Sequence, residues 1–280
     1  MSRNLLIAAL FLALTHTSTS CAQKKDFRIQ YSQTEDPKQQ EKLLKEWAVA
    51  DNNDAELYAA YAQFYMMQGQ SEVMVLEGDS SNGEGKLIHV PMDDKGIQQA
   101  KEMLLKGFTL HPERLDLRFN YIRLLSLEGN YPLVVTSIEE ALTLDQQRKH
   151  VWYWSMDEPV KDDRFLAAIQ DYAAMAFEGE DYESVQKIGE AVLKYYPNNV
   201  ESLSNVGISY LVKEQYDTAL NYFLKAQQLN SKDVVVLNNI AEVYRRKHDS
   251  PNAKRYYEEM VKVGQQEDID YAKSKIAELK

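Results

Sequence analysis

Three asparagines, Asn120, Asn205 and Asn239, offer the plainest chemistry in this chain. Asn205 and Asn239 stand 34 residues apart. A carboxamide both donates and accepts, so a row of them at fixed spacing can grip a peptide backbone whatever its sequence. Arg123, Glu242, Arg245 and Arg246 fall in neighbouring register and would add selectivity for charge. A second constellation is Val151-Trp152-Tyr153-Trp154. If exposed, Trp152 and Trp154 make a partner-binding or sugar-stacking patch; if buried, they cover a seam in the fold. Catalytic chemistry is poorly provided for. His89, His111, His150 and His248 lie far apart, and Asp79, Asp93 and Asp94 lack a calcium-loop spacing. Asp157, Glu158, Asp162 and Asp163 set carboxylates beside the aromatic segment, the ingredients of glycoside hydrolysis, although acidic loop residues are more often simply solvated. No phosphate-cradling glycine loop, nucleophile elbow or dinucleotide fingerprint occurs. The chain therefore reads as non-enzymatic, with no cofactor and no metal.

Charge and cysteine usage narrow the field further. With 43 acidic against 32 basic residues the net charge is -11, which argues against nucleic acid as a partner. The first 22 residues read as an export signal: Arg3, an apolar run from Leu5 to Leu14, then a polar stretch. The run is about half of what a membrane span needs. Two cleavage sites are open. One lies before Gln23. The other lies before Cys21, with a lipid on its thiol, as in bacterial lipoprotein signals, which this region resembles in placing a cysteine after the apolar core; Ser18 stands where those signals carry leucine. Cys21 is the only cysteine, so the folded body has no disulfide and no thiolate site. The expected location is the periplasm or the outer membrane.

The elements that position these residues follow from a repeat. Residues 166–267 divide into three blocks of 34, beginning at Leu166, Val200 and Val234. Two earlier blocks begin at Ala55 and Leu115. Position 8 is Ala62, Ile122, Ala173, Gly207 and Ala241; position 20 is Ala100, Val134, Val185, Ala219 and Ala253. Larger residues recur at position 11 (Tyr65, Leu125, Ala176, Tyr210, Tyr244) and position 24 (Leu104, Ile138, Gly189, Phe223, Tyr257). Pro112 and Pro197 close their blocks, and Arg118 replaces the first aromatic of the second. In period and pattern this resembles the tetratricopeptide repeat.

That resemblance implies an all-α, right-handed α-solenoid of about five antiparallel helical hairpins. The first helices would line a concave groove in which the asparagines hold an extended protein or peptide partner. The lysine-rich carboxylate clamp of chaperone-binding arrays is missing, with Ala59 and Gln63 at its positions. Around the repeats, 23–53 reads as a tether and an N-terminal capping helix, and 54–148 as repeats one and two. An insert at 71–95, with β-like runs at 73–76 and 86–90, interrupts the first repeat. An aromatic linker follows at 149–165, then repeats three to five at 166–267 and a C-terminal capping helix at 268–280. The function these features imply is a scaffold or adaptor of the bacterial cell envelope. The alternatives are a structural subunit of an outer-membrane assembly complex and a saccharide-binding or glycan-active protein.

Overall fold

Helical hairpins dominate the structure, a computed structural model that describes residues 26–68, 72–75, 86–89, 94–155, 158–160 and 164–279. The chain forms two compact units. One holds the described residues up to Leu124 together with Trp152–Pro159; the other holds Leu125–Val151 and everything from Val160 onward.

The first unit opens with a short helix, α1, over 26–32. The tether expected ahead of the capping helix is thus corrected over 26–32, which is helical. Phe27 stacks on Trp47 with ring centroids 5.9 Å apart, and Tyr31 is buried and donates its hydroxyl to Ala60 O at 3.1 Å. Seven residues cannot sustain a helix alone; burying one aromatic face supplies what propensity does not. Helix α2 (Pro37–Ala50) starts at Asp36, whose carboxylate accepts from Lys38 N, with proline at the first helical position. Helices α3 (Ala55–Gln68) and α4 (Asp94–Leu110) form the first hairpin and share a core of Ala62, Ala100, Leu104 and Phe108. Between them β1 (Glu72–Val75) pairs antiparallel with β2 (Lys86–His89), Val75 opposite Lys86. Helix α5 (Leu115–Leu127) packs on α4: Phe108 meets Tyr121 edge to face at 5.4 Å. Arg118, the residue in an aromatic's place, is buried with its guanidinium 4.5 Å from the centre of the Phe108 ring, so it substitutes for that aromatic by stacking.

The second unit contains α6 (Tyr131–Gln147), α7 (Arg164–Glu178), α8 (Tyr182–Tyr195), α9 (Val200–Val212), α10 (Tyr216–Leu229), α11 (Val234–Arg246), α12 (Ser250–Val263) and α13 (Gln266–Glu278). From α7 on, each helix packs against the next, as a solenoid of hairpins requires. Carboxylates and amides punctuate the starts: Asp181, Asn199, Asp233 and Asp249 each accept from a first-turn backbone N–H. In the last four repeat blocks position 15 is left-handed: Gly129, Glu180, Glu214 and His248, with φ of 68, 58, 58 and 58°.

Position 8 is small because position 24 leans on it. A Cβ on Gly207 would lie 2.5 Å from the Phe223 ring. In the third block position 24 is itself glycine, and a Cβ on Gly189 would meet Val206 of the following block at 2.7 Å. Stacked tyrosines repeat identically one block apart: Tyr210 on Tyr222 and Tyr244 on Tyr256, both at 5.7 Å and 14°. Among the described residues no helix is long and apolar enough to cross a membrane.

Candidate functional site

The first helices of the last three hairpins, α7, α9 and α11, touch one another in series and carry most of the candidate residues. Asn205, on α9, is half-buried, and its Nδ2 donates to Gln170 Oε1 on α7 at 2.8 Å. Gln170 in turn donates to Ser202 Oγ at 2.9 Å and Asn199 Oδ1 at 3.3 Å. The Asn205 carboxamide is thus already engaged by the protein, which corrects the expectation of a free gripping group. Gln170 was not singled out in the sequence; its sign there was a long polar side chain at position 5, one repeat upstream of an asparagine at position 6.

One repeat further on the bond is not made. Position 5 of the fourth block is Ser204, too short to reproduce the reach of Gln170, and the buried Nδ2 of Asn239 has no hydrogen-bond partner. The neighbouring Asn238 Oδ1 is also buried and unpartnered. Each such atom costs about 1–3 kcal/mol against a satisfied one. Both side chains are only half-buried, and a carboxamide turns easily about χ2.

A turn below, Glu242 gathers two guanidinium groups. Arg245 donates to both its oxygens at 2.7 Å, and Arg246 Nε donates at 2.8 Å. Burial would raise the Glu242 carboxyl, but the bonds from Arg245 and Arg246 outweigh it and hold the group below the usual carboxylate range. The bond to Glu242 raises Arg245 above its ordinary value. Glu242, Arg245 and Arg246 thus form one cluster with a single positive charge left over, and both arginines remain about two-fifths exposed.

The other candidates lie apart. Asn120 is exposed on α5 and donates to Asp116 O, its own helix, at 2.9 Å; Arg123 is exposed three residues on. Trp152 is 2% exposed, so the patch pairing Trp152 with Trp154 as stacking platforms is corrected: only Trp154, half-buried, faces solvent at all. The segment is held in the first unit. Tyr153 N donates to Glu113 O at 3.0 Å, and β3 (Tyr153–Trp154) pairs with β4 (Glu158–Pro159). Cys21, Asp79, Asp93, Asp157, Asp162 and Asp163 lie outside the described residues, as do the side chains of His89, Asp94 and Glu158. Among the described residues no three His, Cys, Asp or Glu side chains are placed to hold a metal.

One polar cluster escaped the sequence. Asp145, 1% exposed near the end of α6, accepts from His150 Nδ1 at 2.7 Å and from the Tyr196 hydroxyl, a residue 51 positions away. Burial and then Asp145 push the Tyr196 phenol well above its ordinary value. Lys149 and His150, at φ 54 and 66°, are both left-handed and turn the imidazole back onto Asp145.

No family model matches the chain and no curated protein does. Solved structures do. Residues 41 to the end of MamA from Desulfovibrio magneticus RS-1 match at 16% identity over 80% of this chain and 94% of that one, with a TM-score of 0.42. YrrB, described as a tetratricopeptide-repeat protein with an unusual peptide-binding site, matches at 11% identity over 82% and 97%, with a TM-score of 0.46.

Proposed function

We propose that this chain is a non-enzymatic adaptor of the bacterial cell envelope that holds an extended segment of a protein partner along α7, α9 and α11. The observation that carries the reading is the unpartnered pair on α11, Asn238 Oδ1 and Asn239 Nδ2. A peptide backbone offers one acceptor and one donor per residue, the complement of that pair. Arg245 and Arg246, about two turns along the helix and in net excess over Glu242, favour a segment that brings a carboxylate. Asn205 has a different part: bonded to Gln170, it fixes α9 against α7 and shapes the groove.

The test is site-specific photo-cross-linking in intact cells. A cross-linker at Asp171 or Arg246, exposed on first helices, should yield the same partner adduct; one at Lys254, exposed on second helix α12, should not. Asn239→Ala should weaken the isolated complex about tenfold with helical content unchanged, an effect of the size expected for one hydrogen bond left unmade. Adducts of equal yield from Lys254, or unchanged affinity in Asn239→Ala, would remove the groove from the account. Export rests on the apolar run Leu5–Leu14, and lipid anchoring on Cys21. If the anchor is real, Cys21→Ser should move the protein from the membrane fraction to the soluble periplasm; an unchanged distribution would count against it.

A further inference from the structure

Positions 6 and 13 of a block lie about two helical turns apart, so they share one stripe of a first helix. On α7, α9 and α11 position 13 is also the last helical residue, and all three are exposed: Glu178, Val212 and Arg246. From one helix to the next the row thus runs acid, aliphatic, base. Position 6 adds a second exposed acid on α7, Asp171, where α9 and α11 carry Asn205 and Asn239. Within the second unit the row begins at α7, since α6 lies mainly against α8 and touches α7 only lightly.

Both ends of the row have bonding capacity to spare. Neither Asp171 nor Glu178 has an ion pair or a side-chain hydrogen bond among the described residues. Glu178 also stands at the negative end of the α7 dipole, where a carboxylate is disfavoured, so helix stability does not account for it. Arg246 spends Nε on Glu242, which Arg245 already grips with two prongs. The terminal nitrogens of Arg246 make no bond among the described residues. In the middle, Val212 is 43% exposed and half-buried Ile208 lies one turn before it, which makes an aliphatic seat.

Spacing selects the conformation of whatever lies across this row. Packed helices stand about 8–10 Å apart, and a polyproline II segment advances about 9 Å in one turn of three residues. Every third side chain of such a segment points the same way, so successive ones meet successive helices. A β-strand fails here, because side chains three apart point to opposite faces. The polyproline II backbone makes no internal hydrogen bonds, which leaves its groups available to Asn238 and Asn239.

Building on the groove reading above, we propose that the segment held along α7, α9 and α11 is a polyproline II stretch of a partner protein. It carries a base, an aliphatic residue and an acid at every third position, set over Glu178, Val212 and Arg246 in that order.

Calorimetric titration of the full chain with the blocked peptide Ac-Ala-Lys-Pro-Ala-Leu-Pro-Ala-Asp-Ala-NH2 tests this, beside companions with Lys at both charged positions or Asp at both. The mixed peptide should bind about fivefold more tightly than either companion, an advantage of the size of an exposed ion pair, and salt should erode it. Glu178→Lys should transfer the preference to the two-acid peptide, and Arg246→Glu to the two-base peptide, whichever way round the chain lies. Both positions are exposed, Arg245 still holds Glu242, and a lysine suits the end of α7, so the fold should be kept. Moving Lys and Asp to the second residue on either side of Leu should cost the mixed peptide its advantage. Equal binding of the three peptides, a preference that neither variant moves, or an advantage kept at the shorter spacing would overturn the proposal. So would a mixed peptide that does not bind. In each case, a native complex still weakened by Asn239→Ala keeps the groove, and one indifferent to it removes the groove as well.

Discussion

Arg114 is 1% exposed and joined to two carboxylates: NH1 to Glu56 at 2.7 Å, and a two-pronged contact to Asp116 at 2.7 and 2.8 Å. Removing it strands both acids in the core, so Arg114→Met should cost about 3–5 kcal/mol in urea unfolding of the first unit. Two buried tyrosines should behave oppositely. Tyr31 donates to Ala60 O, and Tyr31→Phe should cost about 1 kcal/mol; the Tyr257 hydroxyl has no partner, and Tyr257→Phe should be neutral or mildly stabilising. Burial pushes both phenols up to about 12. Their neutral forms favour the fold, so that contribution is complete below the ordinary phenol value near 10 and is lost as pH rises from there towards 12. Ultraviolet difference titration should resolve this late-ionising class from the exposed tyrosines. Where the sequence could be read at this scale, it located residues better than it paired them. Asn205 and Asn239 stood out by spacing. The partners that set their roles, Gln170 for one and none for the other, come from adjacent helices 35 residues away in the chain or from a side chain too short to reach.

For single elements, the small-and-large alternation was legible because it has a steric cause. Gly207→Ala should cost about 1–3 kcal/mol by driving a methyl into the Phe223 ring, and adding Phe223→Leu should recover part of the loss; thermal melts of the three variants check this. If the single variant is as stable as the parent, the position 8 to position 24 contact is looser than described. Helix α1 was not legible. Its residues are mostly polar, and the helix exists because Phe27 and Tyr31, one turn apart, find Trp47 and Ala60. The linker hid its character for a related reason: Trp152 is buried by tertiary structure, which no local pattern encodes. The junction of α6 with α8 was hidden too, because seventeen residues between blocks give the length of a connection but not which helix it places against which.

Across the second unit, stability is a sum over neighbours, and its acid limit belongs to a few groups. The Glu242 carboxyl, held low by Arg245 and Arg246, contributes stability that is present above the ordinary carboxyl value near 4.3 and lost as pH falls through its lowered folded value. Glu242→Gln should flatten that acid limb, and a limb of unchanged steepness would assign it to other carboxylates. Removing α13 takes away Ala272 and uncovers the apolar edge of α12 against which it packs, so a chain ending at Gly264 should exchange amide hydrogens faster in α11 and α12 while α8 keeps its protection.

Packing by succession has a mechanical consequence. A helix packed mainly on its neighbours along the chain can be detached with few distant contacts to break first. Tension applied at residue 279 should therefore peel the second unit from its C-terminal end, hairpin by hairpin, at low force and in steps of about 34 residues of released contour. The bond of Asn205 to Gln170, spanning 35 positions, is the first crosswise hydrogen bond described above that such a pull would meet; the tie of Asp145 to Tyr196 and His150, spanning 51 positions, follows it, and the last steps should be the stiffest.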